Sequence, residues 1–333
     1  MLPSHHVAWF ILQRRHSVAA VACVALCVHA LRLSSIITMC HSCFDNGQPK
    51  LGVANMGTTD HMDVVRYMHV VPCGQTAGST PGSDGVQPTT LRNVVQHLCD
   101  RGASPSAGDN HAIRTAAKHG HVDVVRYLCD LPPDRGVDPS AGDNHAIRAA
   151  ACGGHVDVVR CLCDLPPDRG VDPSAMHNRA IGTAAKHGHV DVVRYLCDLP
   201  PDRGVDPSAN DNHAIWAAAF GGHVDVVRCL CDLPRDRGVD PSANGNDAIW
   251  AAASRGHVDV VRYLCDLPPD RGVNPSIGAK HAIWAAAYGG HVDVVRYLCD
   301  LPPGRGVDPS ANGNDAIWAA ASRGHVDVVR YLC

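Results

Sequence analysis

The chain has 333 residues, of which 29 Lys and Arg stand against 33 Asp and Glu, for a formal net charge of -4. A balance this even builds no polyanion-binding surface from bulk charge, so nucleic acid is not expected as a partner. Sixteen cysteines would suit a disulfide framework in a small secreted protein, but most of them recur periodically: Cys129, Cys163, Cys197, Cys231, Cys265, Cys299 and Cys333. Equivalent positions in stacked helical units lie about 8 to 10 Å apart, beyond the roughly 7 Å Cα separation that a disulfide spans. They read as buried apolar residues in a reducing compartment.

Residues 1–55 form an N-terminal extension. Residues 1–44 hold no acidic side chain, carry Arg14, Arg15 and Arg32, and include an apolar run from Ser17 to Leu31. Three readings stay open: a secretory signal, an organelle transit peptide, or an untargeted apolar extension or wrongly assigned start. The run is shorter than the roughly 18 residues of a membrane span, so no membrane is expected as a partner unless residues 9–39 act as an anchor. Cytoplasmic localisation is the expectation, with the organelle and secretory alternatives resting on residues 1–44. Cys40-His41-Ser42-Cys43 is a lone CxxC without the second pair that a zinc site needs.

Residues 56–101 carry degenerate copies of a repeat, HMDVVRYM at 61–68 and TLRNVVQHLCDRG at 90–102. From 102 to 333 the repeat becomes strict. The string GHVDVVR recurs with His121, His155, His189, His223, His257, His291 and His325 in one place, giving seven copies 34 residues apart, as His155 is from His121. In the first copy Ile113, Ala116, Ala117 and Gly120 share one face of a short helix. Gly120 ends it, because glycine takes a left-handed terminus at no steric cost.

A second helix comes next, with Val124, Val125, Leu128 and Cys129 as its buried stripe, Val122 and Tyr127 flanking it, and Asp123, Arg126 and Asp130 outside. Arg126 and its equivalents read as solvated partners of those carboxylates. Pro132 and Pro133 stop the helix at about Leu131. The remainder, through Asp138-Pro139-Ser140, reads as connecting turn.

The unit HAIRAAACGGHVDVVRCLCDLPPDRGVD at 145–172 resembles the ankyrin-repeat family. Ile147 stands at the family's Leu, Ala150 and Ala151 at its paired Ala, Gly154 and His155 at its Gly-His, and Val158 and Val159 at its paired Val. The resemblance implies an all-α solenoid of stacked helix-turn-helix repeats. His145 and Ala146 replace the family's Thr and Pro, and each copy gains four residues, LPPD, after the second helix and loses about three between Gly-Val-Asp and His-Ala-Ile. Little or no β-hairpin is therefore expected.

No phosphate-binding Gly-rich loop, HExxH or GxSxG context occurs, and periodic His and Asp are spread along a rod instead of meeting in one pocket. No catalytic, cofactor-binding or metal-binding residue is assigned, and no cofactor or small-molecule substrate is expected. The Gly-His histidines, including the His119/His121 and His187/His189 pairs, lack a third ligand and read as corner residues bonded to backbone.

The second helix is nearly fixed between copies, whereas the end of the first helix varies: Lys118-His119, Cys152-Gly153, Lys186-His187, Phe220-Gly221, Ser254-Arg255, Tyr288-Gly289 and Ser322-Arg323. So does the turn, as in Gly142-Asp143, Met176-His177, Asn210-Asp211 and Gly278-Ala279. By the family resemblance these places line a concave surface that binds a partner protein, which makes Lys118, His119, Lys186, His187, Phe220, Arg255, Tyr288 and Arg323 candidate contacts. Drift at exposed positions is the alternative. Trp216, Trp250, Trp284 and Trp318 recur once per repeat; each indole either fills the seam between first helices or anchors the partner. The expected function is a non-enzymatic scaffold holding a protein partner, against a purely structural repeat array with no dedicated partner.

Overall fold

The computed structural model describes residues 91–276, 281–302 and 307–333, and the backbone of 44–45 and 48–49. The chain divides into two compact units, one of residues 1–60 and 74–90, the other of residues 61–73 and 91–333. In the first unit Phe44–Asp45 and Gln48–Pro49 form a two-stranded antiparallel pair. The expectations for residues 1–43 and for the degenerate copy at 61–68 lie outside the described residues.

The second unit is an all-α repeat solenoid. Its described helices are α1 (Leu91–Asp100), then alternating first and second helices: α2 (Ala107–Lys118) and α3 (Val122–Asp130), α4 (Ala141–Gly153) and α5 (Val156–Cys163), α6 (Ala175–Lys186) and α7 (Val190–Asp198), α8 (Ala209–Gly221) and α9 (Val224–Cys231), α10 (Ala243–Ser254) and α11 (Val258–Asp266), α12 (Ala282–Gly289) and α13 (Val292–Cys299), α14 (Ala311–Ser322) and α15 (Val326–Leu332). One continuous core runs through all of them, with Ile113, Ala116, Ala117, Val124, Val125 and Leu128 of the first repeat fully buried. Small alanines let the first helices stack more closely than the second helices do.

The periodicity places these helices correctly, and Leu131 ends α3 in extended backbone, as a residue before proline must. The connections hold more than the periodicity indicates. The expected plain turn contains a 3-10 turn, Pro133–Arg135 in the first repeat, from which an arginine reaches the preceding repeat. Arg169 Nη1 donates to the Cys129 carbonyl at 2.7 Å, and Arg203, Arg237 and Arg271 donate in the same way to Cys163, Cys197 and Cys231. The LPPD insert thus positions a cation on carbonyls at the end of a second helix, where orphan acceptors and the negative end of the dipole favour it.

The opening of the first helix winds left-handed for three residues: Gly108, Asp109 and Asn110, then Gly142, Asp143 and Asn144, and onward through Asn312, Gly313 and Asn314, all with φ between 53 and 73°. Gly, Asn and Asp tolerate that region best. Met176 and His177 occupy it as well. The composition of the varying turn is therefore set largely by backbone conformation. The last turn residue also clamps the next repeat: Asn144 Oδ1 accepts the Asp172 N–H at 2.8 Å, and Asn110, Asn178 and Asn212 do the same for Asp138, Asp206 and Asp240.

Candidate partner-binding site

The Gly-His corner explains why the first-helix ends can vary. His155 Nε2 lies 3.1 Å from the Lys118 carbonyl oxygen, and His189, His223, His257, His291 and His325 make the same contact with Cys152, Lys186, Phe220, Ser254 and Tyr288. Each varying residue serves the stack through its carbonyl, which any side chain leaves available. The corner histidines are bonded to backbone, and that backbone belongs to the preceding repeat. Among the described residues no three His, Cys, Asp or Glu side chains form a metal-binding group.

The candidate contacts fall into two halves. Lys118, Lys186 and His187 are exposed and His119 is half-buried. His119 and His121 stack at 6.2 Å, His187 and His189 at 6.1 Å, and His187 Nδ1 lies 2.9 Å from the Thr183 carbonyl. In the aromatic half, ring centroids step from His213 to Trp216 at 5.4 Å and from Trp216 to Phe220 at 5.3 Å, with the Arg255 guanidinium 4.3 Å above Phe220. Trp284 stacks on Tyr288 at 5.2 Å, and Arg323 lies 4.2 Å above Tyr288.

The indoles divide by position. Trp250 and Trp284 are half-buried against the core, as seam fillers would be. Trp216 is half-buried within its stack, and Trp318 is 68% exposed.

The second-helix arginines differ from the expectation. Arg160, Arg228, Arg262 and Arg296 lie 4.8 to 5.4 Å from the ring centres of Tyr195, Tyr263, Tyr297 and Tyr331 in the next repeat. Each of these contacts joins one repeat to the next, where the expectation was a pairing with carboxylates of the same helix. Among the described residues the within-helix pair of this kind is Arg330 with Asp327 at 3.4 Å. Cys161 and Cys229 stand where other copies carry tyrosine; burial pushes both thiols up, and the charge of Arg126 or Arg194 from the preceding repeat opposes that shift. Cys129, Cys163, Cys197, Cys231 and Cys265 are buried, whereas Cys299 is half-buried and Cys333 exposed. The last two depart from the expected burial.

Sequence reasoning missed the asparagine clamp and the Arg169-type clamp. A signal existed for both, since Asn and Arg recur in phase, but each bond joins residues 28 or 40 apart. Among the described residues no helix is long and apolar enough to cross a membrane.

A family model described as ankyrin repeats matches residues 90–175, 133–211, 184–278 and 267–333. Among solved structures, the X-ray structure of an ankyrin repeat family protein from Legionella pneumophila is 21% identical, over 83% of this chain and 85% of that one, with a TM-score of 0.35. No curated protein matches. The family matches tile the chain from residue 90 onward, through every helix pair joined by the Gly-His clamp, and the chain belongs to the ankyrin-repeat family.

Proposed function

We propose that this chain is a non-enzymatic scaffold that holds a partner protein along its first-helix ends. Ankyrin repeats are generally protein-protein interaction modules. The observation that carries the reading is the aromatic ladder of Trp216, Phe220 and Arg255, with its counterpart of Trp284, Tyr288 and Arg323. Its side chains take no part in the His clamp, Tyr288 is 40% exposed, and aromatic and arginine side chains dominate interface energies. The closer packing of the first-helix layer favours that layer as the inner, partner-facing one.

The test compares capture of interacting proteins by the natural chain, by Phe220→Ala with Tyr288→Ala, and by the outer-face pair Asp123→Asn with Asp157→Asn. The aromatic pair weakens a partner by about 2 kcal/mol or more without changing the thermal melt; the outer pair leaves binding intact. A structural array without a partner yields no interactor that depends on either pair. Binding lost only in the outer pair overturns the assignment.

A further inference from the structure

Charge is sorted along the row of first-helix ends. From the core isoleucine to the corner histidine, Ile113 to His121 in the first repeat and Ile317 to His325 in the last, no copy contains an Asp or Glu. Cations do occur there: Lys118, Lys186, Arg255 and Arg323 stand at the ends of α2, α6, α10 and α14, and all four are exposed. The chain as a whole carries a net charge of -4, so this row is positive on an acidic protein.

Among the described residues no carboxylate neutralises these four cations; the ion pairs there join Arg114 to Asp109, Arg235 to Asp270 and Arg330 to Asp327. The carboxylates nearest in sequence, Asp123 and its equivalents, lie in the first turn of the second helices, where the positive end of the helix dipole favours them. Arg255 and Arg323 lie 4.3 and 4.2 Å above the Phe220 and Tyr288 rings. A ring takes the face of a guanidinium and leaves the N–H groups of its edge free for a carboxylate.

The cations are also regularly spaced. Lys118 and Lys186 are two repeats apart, as are Arg255 and Arg323, and the ends between them, Cys152-Gly153, Phe220-Gly221 and Tyr288-Gly289, are uncharged. Packed helices lie about 8 to 10 Å apart, which sets cations of alternate repeats about 16 to 20 Å from one another. An extended polypeptide covers that interval in about five or six residues. A nucleic-acid strand brings a phosphate at every nucleotide, far denser than one cation in every second repeat. A polypeptide can place single carboxylates at the observed interval and apolar side chains between them, against Phe220 and Tyr288.

We propose that the row of first-helix ends docks an extended acidic segment of the partner protein, with a carboxylate at about every sixth residue. The assignment rests on the scaffold reading and deepens it by naming the charge that the partner presents.

The experiment follows the fluorescence anisotropy of a fluorescein-labelled peptide with a glutamate at about every sixth residue and leucines between, and of its glutamine counterpart, titrated with the full chain. The glutamate peptide binds about tenfold tighter at low salt, and the preference shrinks as salt is raised. Lys118→Gln, Lys186→Gln, Arg255→Gln and Arg323→Gln combined remove the preference and leave the thermal melt unchanged, because the histidine clamps at these ends use backbone carbonyls. Should that variant melt early, Lys118→Gln with Lys186→Gln decides, since the loss of these two lysines alone halves the preference or more. Arg235→Gln with Arg330→Gln, which removes exposed cations elsewhere, retains it. Equal binding of the two peptides, binding of neither, a preference that survives the fourfold variant, or tighter binding of a single-stranded oligonucleotide than of the glutamate peptide overturns the proposal. The two readings fail separately: partner capture that depends on Phe220 and Tyr288 without a glutamate preference keeps the scaffold and removes the acidic segment. A glutamate preference with no captured partner does the reverse.

Discussion

His155 crosses a repeat boundary to bring Nε2 within 3.1 Å of the Lys118 carbonyl oxygen, and its ring lies so close to Gly120 that an added Cβ there would stand 2.5 Å from Nδ1. Gly120 has φ +75°, so two demands meet at one residue: a left-handed backbone and no side chain. The repeated Gly-His pair is one half of a contact whose other half lies one repeat away.

Gly120→Ala separates those demands when compared with Gly245→Ala, where φ is +71° and nothing lies within 4 Å of the added carbon. The change at 245 costs about 1 to 2 kcal/mol from the left-handed backbone alone. The change at 120 costs more, because the imidazole must move and release its carbonyl. Urea unfolding of both variants measures the difference, and equal midpoints would show that the histidine contact adds nothing.

The asparagine clamp predicts a second ranking. Asn144→Gly keeps the left-handed turn and loses only the acceptor for the Asp172 N–H, a loss of about 1 to 3 kcal/mol for a part-buried donor left unpaired. Asn144→Ala adds backbone strain to the same loss and is the less stable of the two. Glycine matching the natural chain in stability would show that the clamp contributes nothing.

Burial lowers the imidazoles of His145, His213 and His257 below the ordinary value of 6.5. At His257, Arg255, His223 and His291 add to the lowering, while the bond to the Phe220 carbonyl opposes it. Arg114 and Arg148 act on His145, and Arg179 and Lys186 on His213. The native state keeps these rings neutral where the unfolded chain takes up protons. Their contribution is therefore present above the unfolded pKa and is lost as the pH falls from about 6.5 toward the lower folded values. Urea midpoints fall across that window, less steeply for His257→Gln. A midpoint that rises on acidification contradicts this assignment.

Thiol reactivity obeys the same logic of burial. Desolvation pushes the Cys129, Cys197 and Cys231 thiols up to about 12 and Cys163 to about 11, which leaves little thiolate to react near neutral pH. Cys152 and Cys333 are exposed. Among the described cysteines, iodoacetamide followed by peptide mass mapping labels those two first, and labels the buried four only after denaturant. Native-state labelling of Cys129 as fast as Cys152 would refute the ordering.

The sequence determined the repeat length, the helix pairs and the buried stripes, because helical periodicity and burial of an apolar face are local properties that a single copy already displays. Val124, Val125 and Leu128 needed no further information to be placed in the core, nor Leu131 to be placed at a helix end. The clamps needed the stack, since His155, Asn144 and Arg169 find their partners 37, 28 and 40 residues away. The left-handed turn was hidden because Gly, Asn and Asp also mark ordinary turns.

The sharpest separation lies in residues 238–265 and 306–333, which are identical. Both form the same pair of helices, α10 with α11 and α14 with α15. Yet Cys265 is buried and Cys333 exposed, and Trp250 is half-buried while Trp318 is 68% exposed. Local sequence dictates the helices in both places. Burial depends on whether a neighbouring repeat covers the face, which no residue within the segment can decide.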